Sequence, residues 1–277
     1  MRISNINIRY ALIITGVITI EIMLIFSFLY KPVYNDVTSV LTYKETAEHN
    51  YKEYLKFISD QTKRESKEAK HKKDLSPYEI QLKDSGLVNI QEVDPDIMVG
   101  LRYSSKNNFV GIDMYGDLDN CYLQKDVAAK LALASKYLHE KCSYYNLKVL
   151  DGVRPLHIQR MMWDSVKMPW EEKMKYVSPP SYGSLHNYGA AVDITIVNYE
   201  GWESDMGTDF DFFGELGYPS QESRMISEGK LTYRQRENRA LLREVMYKAG
   251  FSGIPTEWWH FNSCSIEEAR SKYHLVN

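Results

Sequence analysis

Ser184-Leu-His186-Asn-Tyr-Gly189-Ala-Ala191-Val-Asp193 and, much later, Glu257-Trp-Trp-His260 gather two imidazoles and two carboxylates in a chain with only seven histidines. A catalytic zinc takes three protein ligands and keeps a fourth position for water. His186, Asp193 and His260 fill such a set, and Glu257 remains as a base beside the water. Any fold built on this reading must bring two distant segments to one point. Strand parity sharpens the demand, because residues an odd number apart on a strand face opposite ways. His186 is therefore expected on a lead-in loop, with Gly189 bending the chain before Asp193 enters a strand. Glu257 and His260 raise the same objection, and need a bulge or a strand that begins after Glu257.

The residue types suit the chemistry. Neutral imidazole and carboxylate are good zinc ligands, and one anionic ligand among three keeps a bound water polarised without a thiolate. A zinc ion brings the pKa of its water to about 7 and polarises a carbonyl. Glu257 would take the water's proton and pass it to a leaving amine. Asp151-Gly-Val-Arg154-Pro155 places a guanidinium at a strand end, where Arg154 can steady an oxyanion. Each residue also has a plainer reading: Glu257 as a surface carboxylate at a strand entrance, Arg154 as half of a structural ion pair. Trp258 and Trp259 read as packing groups. Cys121, Cys142 and Cys264 contain no C-x-x-C pair, so neither a cysteine zinc knuckle nor a redox motif is supported, and their disulfide state is open. Cys264, four residues after His260, is set aside as a ligand because Asp193 already completes the set.

Ala11 to Tyr30 is a run of about 20 residues whose only charge is Glu21, the length of a membrane span. Glu21 costs about 2.5–3.5 kcal/mol near the span centre, against roughly 4–7 kcal/mol favouring insertion from the apolar residues. No small-x-small cleavage site follows, so an uncleaved anchor is expected rather than a signal peptide. Arg2 and Arg9 before the span, against Lys31 and Lys44 after it, lean toward a cytoplasmic amino terminus. Residues 1–30 are read as tail and transmembrane anchor. Residues 31–84 are read as a charged juxtamembrane spacer, helical in part through Val40, Ala47, Tyr51, Leu55 and Ile58. Its Lys63 to Lys73 stretch has no apolar face and reads as solvated. Residues 85–277 are the expected catalytic domain, placed outside the cell membrane. A net charge of -3 argues against a nucleic-acid partner.

Within that domain, spacing predicts helices over 126–145, 157–167 and 233–249, and strands over 147–153, 190–197 and 256–262. A long loop is expected over 200–231. Strands and helices interleave irregularly, which favours α+β: an antiparallel sheet flanked by helices, with zinc in the central cleft and one N-terminal transmembrane helix ahead of it.

The S-x-H-x-x-G-x-A-x-D, E-W-W-H and D-G-x-R-P motifs together resemble the VanX-type D-alanyl-D-alanine dipeptidases. These belong to a zinc peptidase group that also holds VanY-type D,D-carboxypeptidases and the hedgehog signalling domain. The likeness runs from Leu87 to Asn262. It takes in Tyr103-Ser-Ser-Lys-Asn-Asn-Phe-Val-Gly111, Met206-Gly-Thr-Asp-Phe-Asp-Phe212 and Asn238-Arg-Ala-Leu-Leu-Arg243. The resemblance implies His186, Asp193 and His260 as ligands of one zinc, Glu257 as catalytic base and Arg154 as transition-state stabiliser. It further implies that Asp211 binds the free ammonium of the dipeptide and that Ser184 helps hold its carboxylate end. Asn187-Tyr188 departs from the small or basic residues of the antibiotic-resistance enzymes.

The expectation is a membrane-anchored zinc dipeptidase acting on D-Ala-D-Ala or a related wall-derived peptide. Its rivals are a peptidoglycan D,D-carboxypeptidase or endopeptidase with the same metal centre, and a non-catalytic zinc-stabilised binding domain. Asp211 separates the first two, since an ammonium anchor suits a dipeptide and penalises a chain whose amine is acylated. Glu257 and Arg154 weigh against the third, since a structural zinc needs neither. An anchored domain outside the membrane would not reach a cytoplasmic dipeptide pool, which favours scavenging over antibiotic resistance.

Overall fold

The computed structural model describes residues 75–174 and 176–277, together with Lys52, Lys56, Phe57, Ser59, Asp60 and Gln61. The chain divides into two units, Met1–Lys73 and Asp74–Asn277, and the second carries the candidate chemistry. Its elements in order are α1 (Pro77–Asp84), β1 (Leu87–Asn89), α2 (Ile90–Val93), β2 (Met98–Val99), β3 (Tyr122–Gln124), α3 (Lys125–Lys141), β4 (Tyr145–Asp151), α4 (Leu156–Ser165), α5 (Trp170–Lys173), β5 (Ala191–Asn198), α6 (Glu222–Ser227), α7 (Tyr233–Lys248), β6 (Ser252–Ile254), β7 (Glu257–Asn262) and α8 (Ile266–Lys272).

The α+β class is what the sequence pattern calls for. The main sheet has the order β2-β4-β5-β7-β6, and β1 pairs with β3 in a small antiparallel sheet. One edge corrects the expectation of a purely antiparallel sheet: β2 runs parallel to β4, pairing Met98 with Lys148 and Val99 with Val149. Two residues with no flanking periodicity leave no pattern from which that edge could be read.

Strand β5 lies in the middle, and Ala191 to Val197 are all buried. Val192, Ile194 and Ile196 on one face alternate with Asp193 and Thr195 on the other, and both faces are covered, so the polar pair is buried as deeply as the apolar residues. Helix α3 lays Val127, Leu131, Ala134 and Leu138 into the core, all essentially inaccessible. That spacing keeps one stripe inward, and α3 packs on α7 and β4. Truncating Leu131 to Ala would cost about 2–5 kcal/mol. Helix α1 is fixed by a reciprocal Ser76–Glu79 cap and Pro77 in its first turn, and it contributes Leu82 to the same core. The stretch expected as a long loop over 200–231 contains α6 and two short 3-10 turns, too brief to show a periodicity.

The membrane assignment is corrected. Among the described residues no helix is long and apolar enough to cross a membrane. The Ala11–Tyr30 run lies outside the described residues, as does the expected 31–84 spacer as far as residue 74, apart from Lys52, Lys56, Phe57, Ser59, Asp60 and Gln61. Single-pass membrane localisation is withdrawn, and with it the argument that set the catalytic domain apart from a cytoplasmic dipeptide pool.

Candidate metal centre and active-site cleft

Three strands contribute one row of side chains. Asp151 on β4 is the cross-strand partner of Asp193 on β5, and Asp193 is the partner of His260 on β7. An irregularity between Val149 and Asp151 sets Asp151 in that row. Cross-strand partners share a face and bring their Cβ atoms to about 5 Å, so the sheet itself delivers one metal-ligand candidate from each of two strands.

His186 arrives from outside the sheet. It lies in a 3-10 turn over Leu185–Tyr188 that Ser184 caps, its hydroxyl accepting from the His186 amide, and that Gly189 ends at φ 62°. Gly189 is doubly required: a Cβ there would enter a sparsely populated left-handed conformation and meet the Leu87 side chain at 2.7 Å. The parity objection for Glu257 and His260 is met by a bulge. Strand β6 pairs Gly253 with Phe261 and then Ile254 with Glu257, so Trp258 to His260 loop out of register. Glu257 Oε2 and His260 Nδ1 consequently lie 3.9 Å apart, while both indoles are buried.

His186, Asp193 and His260 converge on one point. His186 Nε2 is 3.2 Å from His260 Nδ1 and 3.4 Å from Asp193 Oδ1, and His260 Nδ1 is 3.0 Å from Asp193 Oδ1. Behind each ring stands an acceptor: the Gly152 carbonyl 2.7 Å from His186 Nδ1, and Asn262 Oδ1 2.7 Å from His260 Nε2. Each neutral imidazole carries a single N–H. If both protons point back to these acceptors, the three inward atoms are all lone-pair donors. Such a triangle of lone pairs would be stabilised by a shared cation. Two ligands about 2.0–2.1 Å from a tetrahedral zinc are about 3.3 Å apart, which matches the observed edges. The donor set therefore fits a divalent metal, with the outer hydrogen bonds orienting the rings. Cys264 is not among the converging donors, and all three cysteines are unpaired.

Around the triangle runs a cleft of about 370 Å³ lined by Arg154, Ser184, Asp211 and Glu257 among others. Arg154 is buried, and its Nε donates to Asp151 Oδ2 at 2.8 Å and its Nη1 to Gln159 Oε1 at 3.2 Å. Nη2 reaches to 3.5 Å from Asp193 Oδ2. Burial works against the guanidinium charge, but Asp151 above all holds it firmly protonated. Asp211 sits at φ 59°, and its Oδ2 accepts from the Tyr103 hydroxyl at 2.8 Å. Burial pushes the Asp211 carboxyl up to about 8, with the Tyr103 hydrogen bond opposing and Asp193 adding to the rise. Glu257 is also pushed up to about 8 by burial, against the pull of His260, although a fifth of its side chain stays open to the cleft.

All seven residues singled out from the sequence line this one cleft. The sequence reading missed what stands behind them. Tyr103 holds Asp211 and also stacks its ring under the Arg154 guanidinium at 5.3 Å. Tyr115 donates to Asp151 Oδ1, and Asn262 orients His260. Asn262 had a readable signal, since it lies two residues beyond His260 on the same strand and so on the same face. Tyr103 had none, being linked to Asp211 only through the tertiary fold.

A His–Asp–His triangle with a carboxyl and a guanidinium in the same cleft is the side-chain set of a metallohydrolase. The chain belongs to the Peptidase_M15 D-ala-D-ala dipeptidase family, whose model matches residues 83–274. It is 33% identical over 175 residues to the D-alanyl-D-alanine dipeptidase of Escherichia coli (strain K12), covering 63% of this chain and 83% of that protein. It is 24% identical over 192 residues to the D-alanyl-D-alanine dipeptidase of Enterococcus faecalis (strain ATCC 700802 / V583), covering 64% and 91%. Among solved structures, the vancomycin resistance D,D-dipeptidase VanXYg in complex with a D-Ala-D-Ala phosphinate analog aligns over 57% of each chain, with 18% identity and a TM-score of 0.33.

Proposed function

We propose that this protein is a zinc-dependent dipeptidase that hydrolyses D-Ala-D-Ala, with His186, Asp193 and His260 holding the metal. The observation that carries the reading is the lone-pair triangle with Glu257 3.9 Å from its His260 corner and Arg154 Nη2 3.5 Å from the other oxygen of Asp193. Zinc, when bound, supplies Lewis acidity that acidifies a water and polarises a carbonyl. Glu257 accepts the proton of the attacking water and delivers it to the leaving amine. Its elevated pKa fits a group that must both take and give a proton near neutrality, and a cation in the triangle draws it down into the ionised form. Arg154, its Nε and Nη2 held by Asp151 and its Nη1 by Gln159, keeps its charge fixed in the cleft and would stabilise the oxygen on which charge develops.

Asp211 binds the substrate ammonium. An anion destabilised in the empty cleft gains most when a cation arrives, and a dipeptide supplies one where an acylated peptide does not. Ser184, which caps the turn that carries His186 and lines the same cleft, serves the carboxylate end. The catalytic unit comprises residues 85–277 together with α1. Full-length protein loaded with stoichiometric zinc should release D-alanine from D-Ala-D-Ala. Absence of turnover in metal-loaded protein ends this reading.

A further inference from the structure

A second guanidinium lies in the cleft, and the hydrolytic chemistry leaves it without a task. Arg270 stands one turn after Ile266 on α8, and both line the cleft with Tyr182, Ser184 and His186. The helix is anchored: Ser265 caps it, Ala269 is fully buried, and it packs against the 185–188 turn that carries His186. The head group is anchored too, because Arg270 Nη2 donates to the Tyr182 carbonyl at 2.6 Å. That carbonyl is two residues ahead of Ser184. Among the described residues no carboxylate comes within ion-pair distance of Arg270, whereas Arg154 is already engaged by Asp151 and lies 3.5 Å from Asp193.

The charges of the cleft are therefore unevenly satisfied. A dipeptide enters as a zwitterion, and each end loses water on binding. Asp211 matches the ammonium. A carboxylate without a cation would be strongly penalised, and Arg154 is held by Asp151 and reserved for the developing oxyanion. Arg270 is the remaining cation in the lining, presented beside Ser184 by an anchored helix. Its free N–H groups can take a carboxylate in the planar two-pronged geometry that guanidinium favours.

We propose that Arg270 is the counter-ion for the terminal carboxylate of the substrate, a specificity-determining residue that selects peptides ending just beyond the scissile bond. This assignment rests on the dipeptidase reading. The test compares D-Ala-D-Ala with its carboxamide, D-alanyl-D-alaninamide, in wild-type, Arg270→Gln and Arg270→Lys full-length protein, with zinc content measured in each. Wild type should prefer the free acid. Arg270→Gln should raise KM for the acid about tenfold with kcat and zinc content held, and should leave the carboxamide unaffected, so that the preference vanishes. Arg270→Lys should restore part of it. Equal losses on acid and amide, a loss confined to kcat, or a preserved preference in Arg270→Gln would each overturn the assignment while leaving the dipeptidase reading intact. Failure of wild type to cleave either compound would overturn both.

Discussion

Asn262 Oδ1 stands 2.7 Å from His260 Nε2, and this contact decides which nitrogen of His260 faces Asp193. With the Nε2 proton committed to Asn262, Nδ1 presents its lone pair to the triangle. Asn262→Ala removes that commitment and leaves the ring free to rotate or change tautomer. Metal affinity should fall about 10- to 100-fold, as read by competition with a zinc chelator. Unchanged affinity would show that the strand alone orients the ring.

Glu257→Gln keeps the size and place of the side chain while removing the base. Turnover of D-Ala-D-Ala should drop about 10²- to 10⁴-fold, with bound zinc unchanged by elemental analysis. Normal turnover with full zinc would move the base to another residue.

Asp211→Asn should raise KM for D-Ala-D-Ala by roughly tenfold or more, since the ammonium then meets a neutral amide. Against a peptide acylated on the corresponding nitrogen, the same variant should do better than wild type. Parallel effects on both substrates would disqualify Asp211 as the ammonium anchor.

The metal-free protein should show an unusual pH dependence of stability. Asp211 and Glu257 are both pushed up to about 8 by burial, whereas the unfolded chain titrates them near ~4. Between those limits the folded chain keeps protons that the unfolded chain has released, so stability falls as pH rises. Their contribution is complete below pH ~4 and gone above about 8. Denaturation of chelated protein across this window should show the decline, and the Asp211→Asn, Glu257→Gln double variant should flatten it. A slope identical in both proteins would trace the decline to other groups.

Gly189→Ala should destabilise the fold by about 1–3 kcal/mol through the left-handed backbone alone, with more from the contact to Leu87. Because Gly189 ends the turn that presents His186, zinc binding should weaken in step with the fall in Tm. A variant with wild-type Tm and affinity would contradict the steric argument.

Much of the site was legible because its residues are chemically distinctive and locally spaced. His186, Asp193, His260 and Glu257 declare themselves by type, and Gly189 marks the bend that parity demanded. The bulge at Trp258–His260 could be required but not located, since it depends on how β6 pairs with β7. Helices such as α3 carry their boundaries in apolar periodicity, whereas the two-residue parallel edge β2 carries nothing. The Ala11–Tyr30 run reads as a span from its length and hydropathy despite Glu21, and it lies outside the described residues. Asp211 and Ser184 entered through family likeness, because a carboxylate in a loop and a serine before a turn have many ordinary explanations.

Asp151, Asp193 and His260 sit side by side on β4, β5 and β7, brought into one row by the alignment of three strands. A slip of β5 by a single residue would turn Asp193 to the far face, breaking its approach to both imidazoles and to Arg154 at once. Turnover thus doubles as a readout of correct threading: a misaligned molecule is silent, and specific activity per folded chain counts the fraction whose strands have found their proper neighbours.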